Sequence, residues 1–535
     1  MNTVLLFLLL AQAPAANPDV ISPRRLAQAR SEPHNWLTYS GTYDGHRYSS
    51  LGEISSGNVA RLQPVWVYQS REAGKTETSP IVIDGTLYIT ERSYIATALD
   101  GRTGRPLWSY RRPKPTGVPT CCGDVNRGAA VLGDALYFVT LDAHLVALDR
   151  RTGQVRWDVT VADYKTGHSL TLAPLAVKDK IVIGISGGEF GVRGFIDAYD
   201  AKTGKRAWRF WTVPARGEPG NETWSGKSWK TGGAPAWVTG SYDPDLNLLY
   251  WGTGNPSPDY NGDVRKGDNL YSDSLVALDA DTGKLRWYFQ YTPHDLHDWD
   301  SNQVPVLIDA EFPPGRPRKL VAQANRNAFF YLLDRESGEF LLGKPYARQS
   351  WAKGLDARGR PIRLPGTEPS EAGTKVFPGL GGATNWWSPS YSPKTRLLYV
   401  QTHEDYAQIF YKHESEYEPG RNFEGGAARD IEGSEHFGVV KAIDPLTGKI
   451  HWTFKQHAPP SAGLLATAGG VVFGGTREGW FFALDAKSGK PLWRFQTGGQ
   501  IWANPVSFAV DGRQHVAIAA GQAIFVFALR GGGGD

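Results

Sequence analysis

Residues 146–157 read VALDRRTGQVRW, and this stretch decides the fold. An apolar run ends at Asp149, whose carboxylate can accept backbone N–H bonds across a tight turn. Gly153 supplies the left-handed position such a turn needs, and the following strand carries Trp157 as a large flat wedge. The stretch is therefore a β-hairpin. The same pattern returns as TALDGRTGRPLW at 97–108, DAYDAKTGKRAW at 197–208, VALDADTGKLRW at 276–287, KAIDPLTGKIHW at 441–452 and FALDAKSGKPLW at 482–493. A further copy, YLLDRESGEFLL at 331–342, has Leu342 in the tryptophan's place. One such hairpin cannot bury both of its faces, whereas copies arranged radially can.

The two ends of the chain supply complementary halves of one more copy. NVARLQPVW places Trp66 in a strand with no upstream ALD half, and AIFVFALRGG supplies Ala528-Leu529 with no downstream tryptophan half. Counting Trp66, Trp108, Trp157, Trp208, Trp287, Leu342, Trp452 and Trp493, the period is roughly 40 to 50 residues. It is stretched by insertions between Trp208 and Trp287 and between Leu342 and Trp452. The expectation is an all-β, eight-bladed β-propeller over residues 17–535, its last blade closed by both termini, which would remove an exposed sheet edge. Composition agrees: the 535 residues hold 62 Gly, 35 Pro, 19 Trp and 23 Tyr but one Met, which suits many short strands and tight turns.

The formal net charge of +4 and the lack of any long Lys/Arg run argue against a nucleic-acid partner. Val4 to Leu10, followed by small residues, resembles the apolar segment of a secretory signal, without the usual basic start, so residues 1–16 read as a signal peptide. No other apolar run approaches ~20 residues, so no membrane span is expected in the mature chain.

Polar residues crowd into five segments outside the repeats: TETSPIV with Glu77, CCGDVNRG with Cys121, Cys122 and Arg127, ISGGEFGVRG with Glu189, GTGNPSP with Asn255, and HDLHDWD with Asp298 and Asp300. Glu189, Asn255, Asp298 and Asp300 are all oxygen donors, which suits a hard cation. On residue type alone, HDLHDWD reads more readily as a solvated acidic loop, Glu77 and Arg127 as a surface ion pair, and Asn255 as a turn residue. Cys121 and Cys122 are the chain's two cysteines. Bridging neighbours closes a small strained ring and adds almost no loop-closure stability, so a structural staple is a poor account of them. Buried free thiols and a strained ring both remain open. No C-x-x-C-H is present for covalent haem.

The repeats, TETSP, CCGDVNRG, ISGGEFGVRG, GTGNP, TPHDLHDWD and QANRNAFFYLLDRESG together resemble the pyrroloquinoline quinone (PQQ)-dependent alcohol dehydrogenases of the methanol and ethanol dehydrogenase type, over about residues 35 to 530. The resemblance implies a vicinal disulfide between Cys121 and Cys122 packed on one face of the quinone, with Trp237 stacked on the other. Glu77, Arg127, Thr171, Ser186, Gly187, Gly188 and Asn385 would hydrogen-bond or line the cofactor, and Arg326 would lie near the quinone carbonyls. Glu189, Asn255 and Asp298 would surround the metal, with Asp298 the general base. Asp300 resembles the extra carboxylate of the lanthanide-dependent branch, against calcium as the alternative, because a trivalent ion favours more anionic oxygen.

The implied activity is oxidation of primary alcohols to aldehydes in the periplasm, with electrons passed to a soluble c-type cytochrome. A homodimer is compatible with this. The rivals are a non-catalytic propeller scaffold and a PQQ-dependent polyol or sugar dehydrogenase, a group that generally lacks the vicinal cysteines. Three departures point to an altered site mouth: Pro235 in GGAPAW where many relatives place Thr, Ser461 where relatives often carry Trp, and AAGQAIF in place of Gly-Trp-Gly-Gly.

Overall fold

Each copy of the repeat forms the third and fourth strands of an antiparallel four-stranded sheet. In the sheet holding residues 146–157, the order is Ala130–Leu132, Ala135–Val139, His144–Asp149 and Val155–Thr160. The hairpin between the last two closes as its residues dictate. Asp149 Oδ1 accepts from the backbone N–H of Arg151 and Thr152 at 3.0 Å, and Gly153 N donates to the Asp149 carbonyl at 2.8 Å. Gly153 takes φ +72°.

The computed structural model describes residues 20–530. Among them, the same strand order recurs in sheets starting at Ile81–Ile83, Leu175–Val177, Ser241–Asp243, Val306–Glu311, Ser390–Ser392 and Leu465–Thr467, the last also pairing in parallel with Tyr48–Ser49. One further sheet joins Val506–Val510, Arg513–Ala520 and Ala523–Leu529 to Leu62–Gln69, strands from opposite ends of the chain. The fold is thus all-β and propeller-like, with few helices, the α-helix Pro23–Ala27 spanning five residues. The two stretched periods hold insertions. Two small sheets, Ala352–Leu355 with Pro361–Arg363 and Thr374–Val376 with Gln408–Lys412 and Gly426–Asp430, lie between Leu342 and Trp452. The signal-peptide expectation for 1–16 falls outside the described residues. Among the described residues no helix is long and apolar enough to cross a membrane, which leaves strand-built spans unaddressed.

Six of the seven repeat tryptophans reach past their own hairpins, while Trp493 packs on Phe481 and Phe495 of its own. Trp66 Nε1 donates to the carbonyl of Gly101 (2.9 Å), Trp108 to Arg150 (3.0 Å), Trp157 to Ala201 (3.1 Å), Trp208 to Ala280 (3.1 Å), Trp287 to Arg335 (3.2 Å) and Trp452 to Ala486 (3.1 Å). Every acceptor is the residue after the turn aspartate of the next sheet. The turn glycine is fixed twice over, by its positive φ and by the indole lying on it: a Cβ on Gly153 would sit 2.6 Å from Trp108 Cε3. Leu342 cannot donate, and it packs together with Lys344 on the turn at Gly448.

Antiparallel order gives the fold two distinct ends. The repeat hairpins occupy one. The loops entering each first strand, and those joining second to third strands, emerge at the other.

Candidate active site

Every site residue singled out in the sequence lies in a loop of that second end. Glu77, Arg127, Thr171, Trp237, Asp298, Asp300 and Asn385 precede first strands, while Ser186 to Glu189, Asn255 and Arg326 follow second strands. Sequence-distant residues therefore converge because sheet order, rather than chain proximity, brings them together.

Glu77 and Arg127 are no surface pair. They are 3% and 5% exposed, with Arg127 Nη2 3.0 Å from Glu77 Oε2 and Lys75 Nζ 2.9 Å from Glu77 Oε1. The Arg127 guanidinium lies between two indoles, 4.8 Å from the Trp237 ring centre and 4.7 Å from that of Trp386. Its backbone N–H donates to the Thr171 carbonyl (3.1 Å), and the Thr171 hydroxyl meets that of Ser186 at 3.1 Å. Gly187 has φ +116° and no room for a Cβ against the Gly167 carbonyl. Asn385 donates to the Gly381 carbonyl at 3.0 Å.

The acidic segment is likewise not solvated. Asp295 is 0% exposed and accepts from the backbone N–H of Trp299 (2.8 Å) and His297 (3.2 Å), so it holds the turn rather than the site. Asp298 adopts φ +57°, a left-handed conformation that Asp tolerates better than most side chains. Arg326 Nη1 donates to Asp300 Oδ2 at 2.6 Å, and its Nη2 lies 3.7 Å from Asp298 Oδ2. Asp300 also accepts from Trp237 Nε1 (3.1 Å) and from the Asn255 backbone N–H (2.9 Å). It therefore ties the tryptophan, the asparagine and the guanidinium into one unit. Gly254 completes the fit, since a Cβ there would overlap Asp300 Oδ1. Pro235, whose ring packs beside Gly188 and Gly254, accepts from Gly254 N at 2.6 Å through its carbonyl.

These carboxylates crowd one another. Burial pushes Asp298 well above the ordinary carboxylate range, and Asp300, Asp259 and Glu189 add to it against the opposing pull of Arg326. Burial raises Glu189 to about 7, with Asp300 and Glu424 contributing. Asp259 and Asp273, 1% and 0% exposed, are raised by burial and by their acidic neighbours. Among the described residues, Asp259 Oδ1 and both Asp273 oxygens have no hydrogen-bond partner. The buried guanidiniums of Arg265 and Arg326 do not balance this charge, and Arg265 spends its donors on the carbonyls of Pro258, Asp259 and Asp295 and on Asn269. Buried anionic oxygen in excess of buried cation is the donor chemistry of a hard-metal site.

Cys121 and Cys122 are disulfide-bonded, with Cα atoms 3.8 Å apart, and are exposed rather than buried. Their sulfurs and a Glu189 carboxylate oxygen lie within 4.8 Å of one another. A disulfide has no thiolate to offer, so this contact places the pair beside the acidic cluster without making it a metal ligand.

A propeller carrying a vicinal disulfide against a buried acid cluster invites comparison with known proteins. Residues 36–344 match the family profile described as "Glucose/ethanol/alcohol dehydrogenase, beta-propeller domain", and residues 436–531 match that of outer membrane protein assembly factor BamB. The quinoprotein alcohol dehydrogenase PedH of Pseudomonas putida is 40% identical over 97% of this chain and 91% of its own. This chain belongs to the PQQ-dependent alcohol dehydrogenases. Two solved structures align with the quinoprotein at TM-score 0.90. The quinohemoprotein alcohol dehydrogenase ADHIIG of Pseudomonas putida is 36% identical, with 97% of this chain and 84% of that one covered. A europium-containing methanol dehydrogenase is 32% identical, with 95% and 100% covered.

The residues present fit the family's cofactor. The Glu77–Arg127 pair, the Thr171–Ser186 hydroxyls and the glycine bend at 187–188 give a polar wall, and among the described residues Arg127 Nε and Arg326 Nε are buried without hydrogen-bond partners. What the sequence missed in this quinoprotein is the supporting layer. Trp386 stands next to Asn385 and Lys75 two residues before Glu77, so adjacency could have flagged both. Asp259, Asp273 and Arg265 lie inside an insertion whose polarity looks like ordinary loop.

Proposed function

We propose that this quinoprotein oxidises primary alcohols to aldehydes with bound PQQ and a lanthanide ion, in the periplasm, passing electrons to a soluble c-type cytochrome. The scaffold would be a ring of eight blades, the last completed by both chain ends; eight sheets of four or five strands and the pairing of Leu62–Gln69 with Ala523–Leu529 support this. The observation that carries the functional reading is Arg326 bridging Asp300 and Asp298 beside Asn255 and Glu189.

When bound, the quinone supplies the acceptor for hydride from the alcohol carbon, and the cation a Lewis acid at its reactive carbonyl. Glu189, Asn255, Asp298 and Asp300 would hold the cation. Glu77, Arg127, Thr171, Ser186, Gly187, Gly188 and Asn385 would line the quinone, between Trp237 and the Cys121–Cys122 disulfide. Asp298 takes the alcohol's hydroxyl proton onto a carboxylate oxygen, the role of a positioned general base. Arg326 orients that carboxylate and prevents it from turning away. Asp300, already held by three donors, fixes Trp237 against the same cluster. The extra carboxylate favours a trivalent ion, and the europium-containing methanol dehydrogenase is a structural relative consistent with it.

The test is dye reduction by ethanol with protein reconstituted with PQQ and either calcium or a light lanthanide. Turnover with the lanthanide, and weaker lanthanide activation in Asp300→Ala, are expected. Turnover with calcium alone would overturn the metal assignment, and no turnover of any alcohol with either metal would overturn the reading itself.

A further inference from the structure

The site end carries an arc of side chains that the chemistry above does not use. Trp502 precedes Val506–Val510, Arg477 follows Val471–Gly475, and Tyr406 follows Leu397–Glu404, so all three emerge at the same end as the acid cluster. One end of the arc is pinned to the expected cofactor wall through Lys75, whose Nζ is 2.9 Å from Glu77 and 5.0 Å from the Trp502 ring centre. The other face of the arc is Arg477, its guanidinium 4.7 Å from the same indole centre. Beyond it, His403 stacks on Tyr406 at 3.9 Å, and His403 Nε2 meets His436 Nδ1 at 2.7 Å. The Tyr406 hydroxyl accepts from Gly381 N at 3.4 Å, in the loop whose Leu380 carbonyl accepts from Arg326 (2.6 Å) and whose Gly381 carbonyl accepts from Asn385. Ser461, which stands where relatives often carry tryptophan, donates to the Ile501 carbonyl at 2.6 Å and fixes the residue before Trp502.

Within this arc Lys75 is already paired with Glu77, but among the described residues Arg477 has no carboxylate partner. Its Nε is buried without a hydrogen-bond partner among the described residues, and the phenol of Tyr406 faces it. Burial disfavours its charge; His403 is held below its usual range by burial, His436 and Arg477, and His436 by burial and Arg477 against the opposing pull of Asp430. A guanidinium kept partly desolvated at a site mouth, between an indole and a phenol, is a receptor for a planar anion.

We propose that Arg477 anchors a carboxylate on the substrate, so that this mouth selects primary alcohols bearing a carboxylate remote from the hydroxyl. The proposal rests on the alcohol-oxidising reading above. Trp502 and Tyr406 cover the carbon chain between, and the oxidation is the same: the –CH₂OH end loses hydride and proton to become –CHO, while the carboxylate is unchanged.

The test compares kcat/KM for 6-hydroxyhexanoate and 1-hexanol in the metal- and PQQ-loaded enzyme. A charge-assisted contact predicts that Arg477→Leu lowers the acid-to-alcohol ratio by about 10- to 100-fold. Arg477→Lys should recover part of it, and Arg477→Glu should shift the ratio toward 6-amino-1-hexanol. A ratio that moves less than about twofold in all three variants overturns the proposal. So does a PQQ titration in which Arg477→Leu weakens cofactor binding while both substrates fall in parallel, since Arg477 would then serve the cofactor. Failure of the wild-type enzyme to oxidise either compound, with PQQ and metal bound, would instead break the alcohol-oxidising reading.

Discussion

Aspartates at the two ends of the molecule behave in opposite ways. At the hairpin end, Asp149 is raised by its slight burial, but Arg156 and the turn N–H groups of Thr152 and Arg151 outweigh that and hold it down to about 2. At the loop end, burial and acidic neighbours drive Asp298 far above its usual range, although Arg326 is adjacent. The chain satisfies one aspartate with its own backbone and leaves the other in need of something it does not contain. Periodic structure can meet every polar group locally, because each turn repeats the same solution. A site that must receive a cation and a proton cannot be closed in that way.

The largest effect that separates the two ends is expected at Asp298. Asp298→Asn keeps the shape, removes the base, and should lower kcat by about 100- to 10,000-fold. Thermal stability of the metal-free protein should hold or rise, because a buried carboxyl crowded by acidic neighbours is gone. Stopped-flow dye reduction and a melting curve read the two effects, and retained activity would place the base elsewhere.

The converse change is Trp287→Ala at the hairpin end. Trp287 is 9% exposed, donates to the Arg335 carbonyl and covers Gly338. Its loss should cost about 3 to 5 kcal/mol, seen as a lower unfolding midpoint with quinone affinity retained in the folded protein. Loss of quinone affinity without loss of stability would show that the two ends are not separable.

How much of this was legible in the sequence follows the same division. The hairpin repeat announces itself, since Asp, Gly and Trp recur at fixed offsets, and the chain ends offer complementary halves of one strand pair. The partner of each tryptophan was not legible. The pattern marks Trp157 as a wedge without naming what it meets; it caps the turn at Ala201 one sheet later, because contacts between sheets leave no local spacing. At the loop end the motifs around Glu77, Arg127, Glu189 and Asp298 could be found by resemblance. Residue type alone misread Glu77–Arg127 as a surface pair and HDLHDWD as solvated, since burial there is created by insertions far away in the chain. Asp259, Asp273 and the arc from Lys75 through Trp502 to Arg477 depend wholly on that assembly.

A smaller effect is expected from pH in the metal-free protein. Glu189 rises in the fold from the ordinary 4.5 to about 7. A carboxyl raised on folding binds its proton more tightly in the native state, so its stabilising contribution is complete below about pH 4.5 and is lost as pH climbs through about 7. The unfolding midpoint of the metal-free protein should therefore decline across that window. Saturating lanthanide should flatten the decline, because the cation takes the proton's place on the ionised carboxylate. The same pH slope with and without metal would remove Glu189 from the ligand set.

The smallest effect on stability is expected at the disulfide, and it sharpens the comparison most. Cys121 and Cys122 enclose no chain between them, so opening the bond releases almost no loop entropy. They are exposed at the loop end, away from the hairpins that hold the sheets together. Mild thiol reduction, or Cys122→Ser, should leave the melting curve of the metal-free protein unchanged within error. Quinone affinity should fall several-fold, since the rigid element beside Glu189 becomes two mobile side chains. A destabilised fold with unchanged quinone affinity would mean that the pair belongs energetically to the scaffold, and the division between a self-sufficient end and a receptive one would have to be redrawn through residue 121.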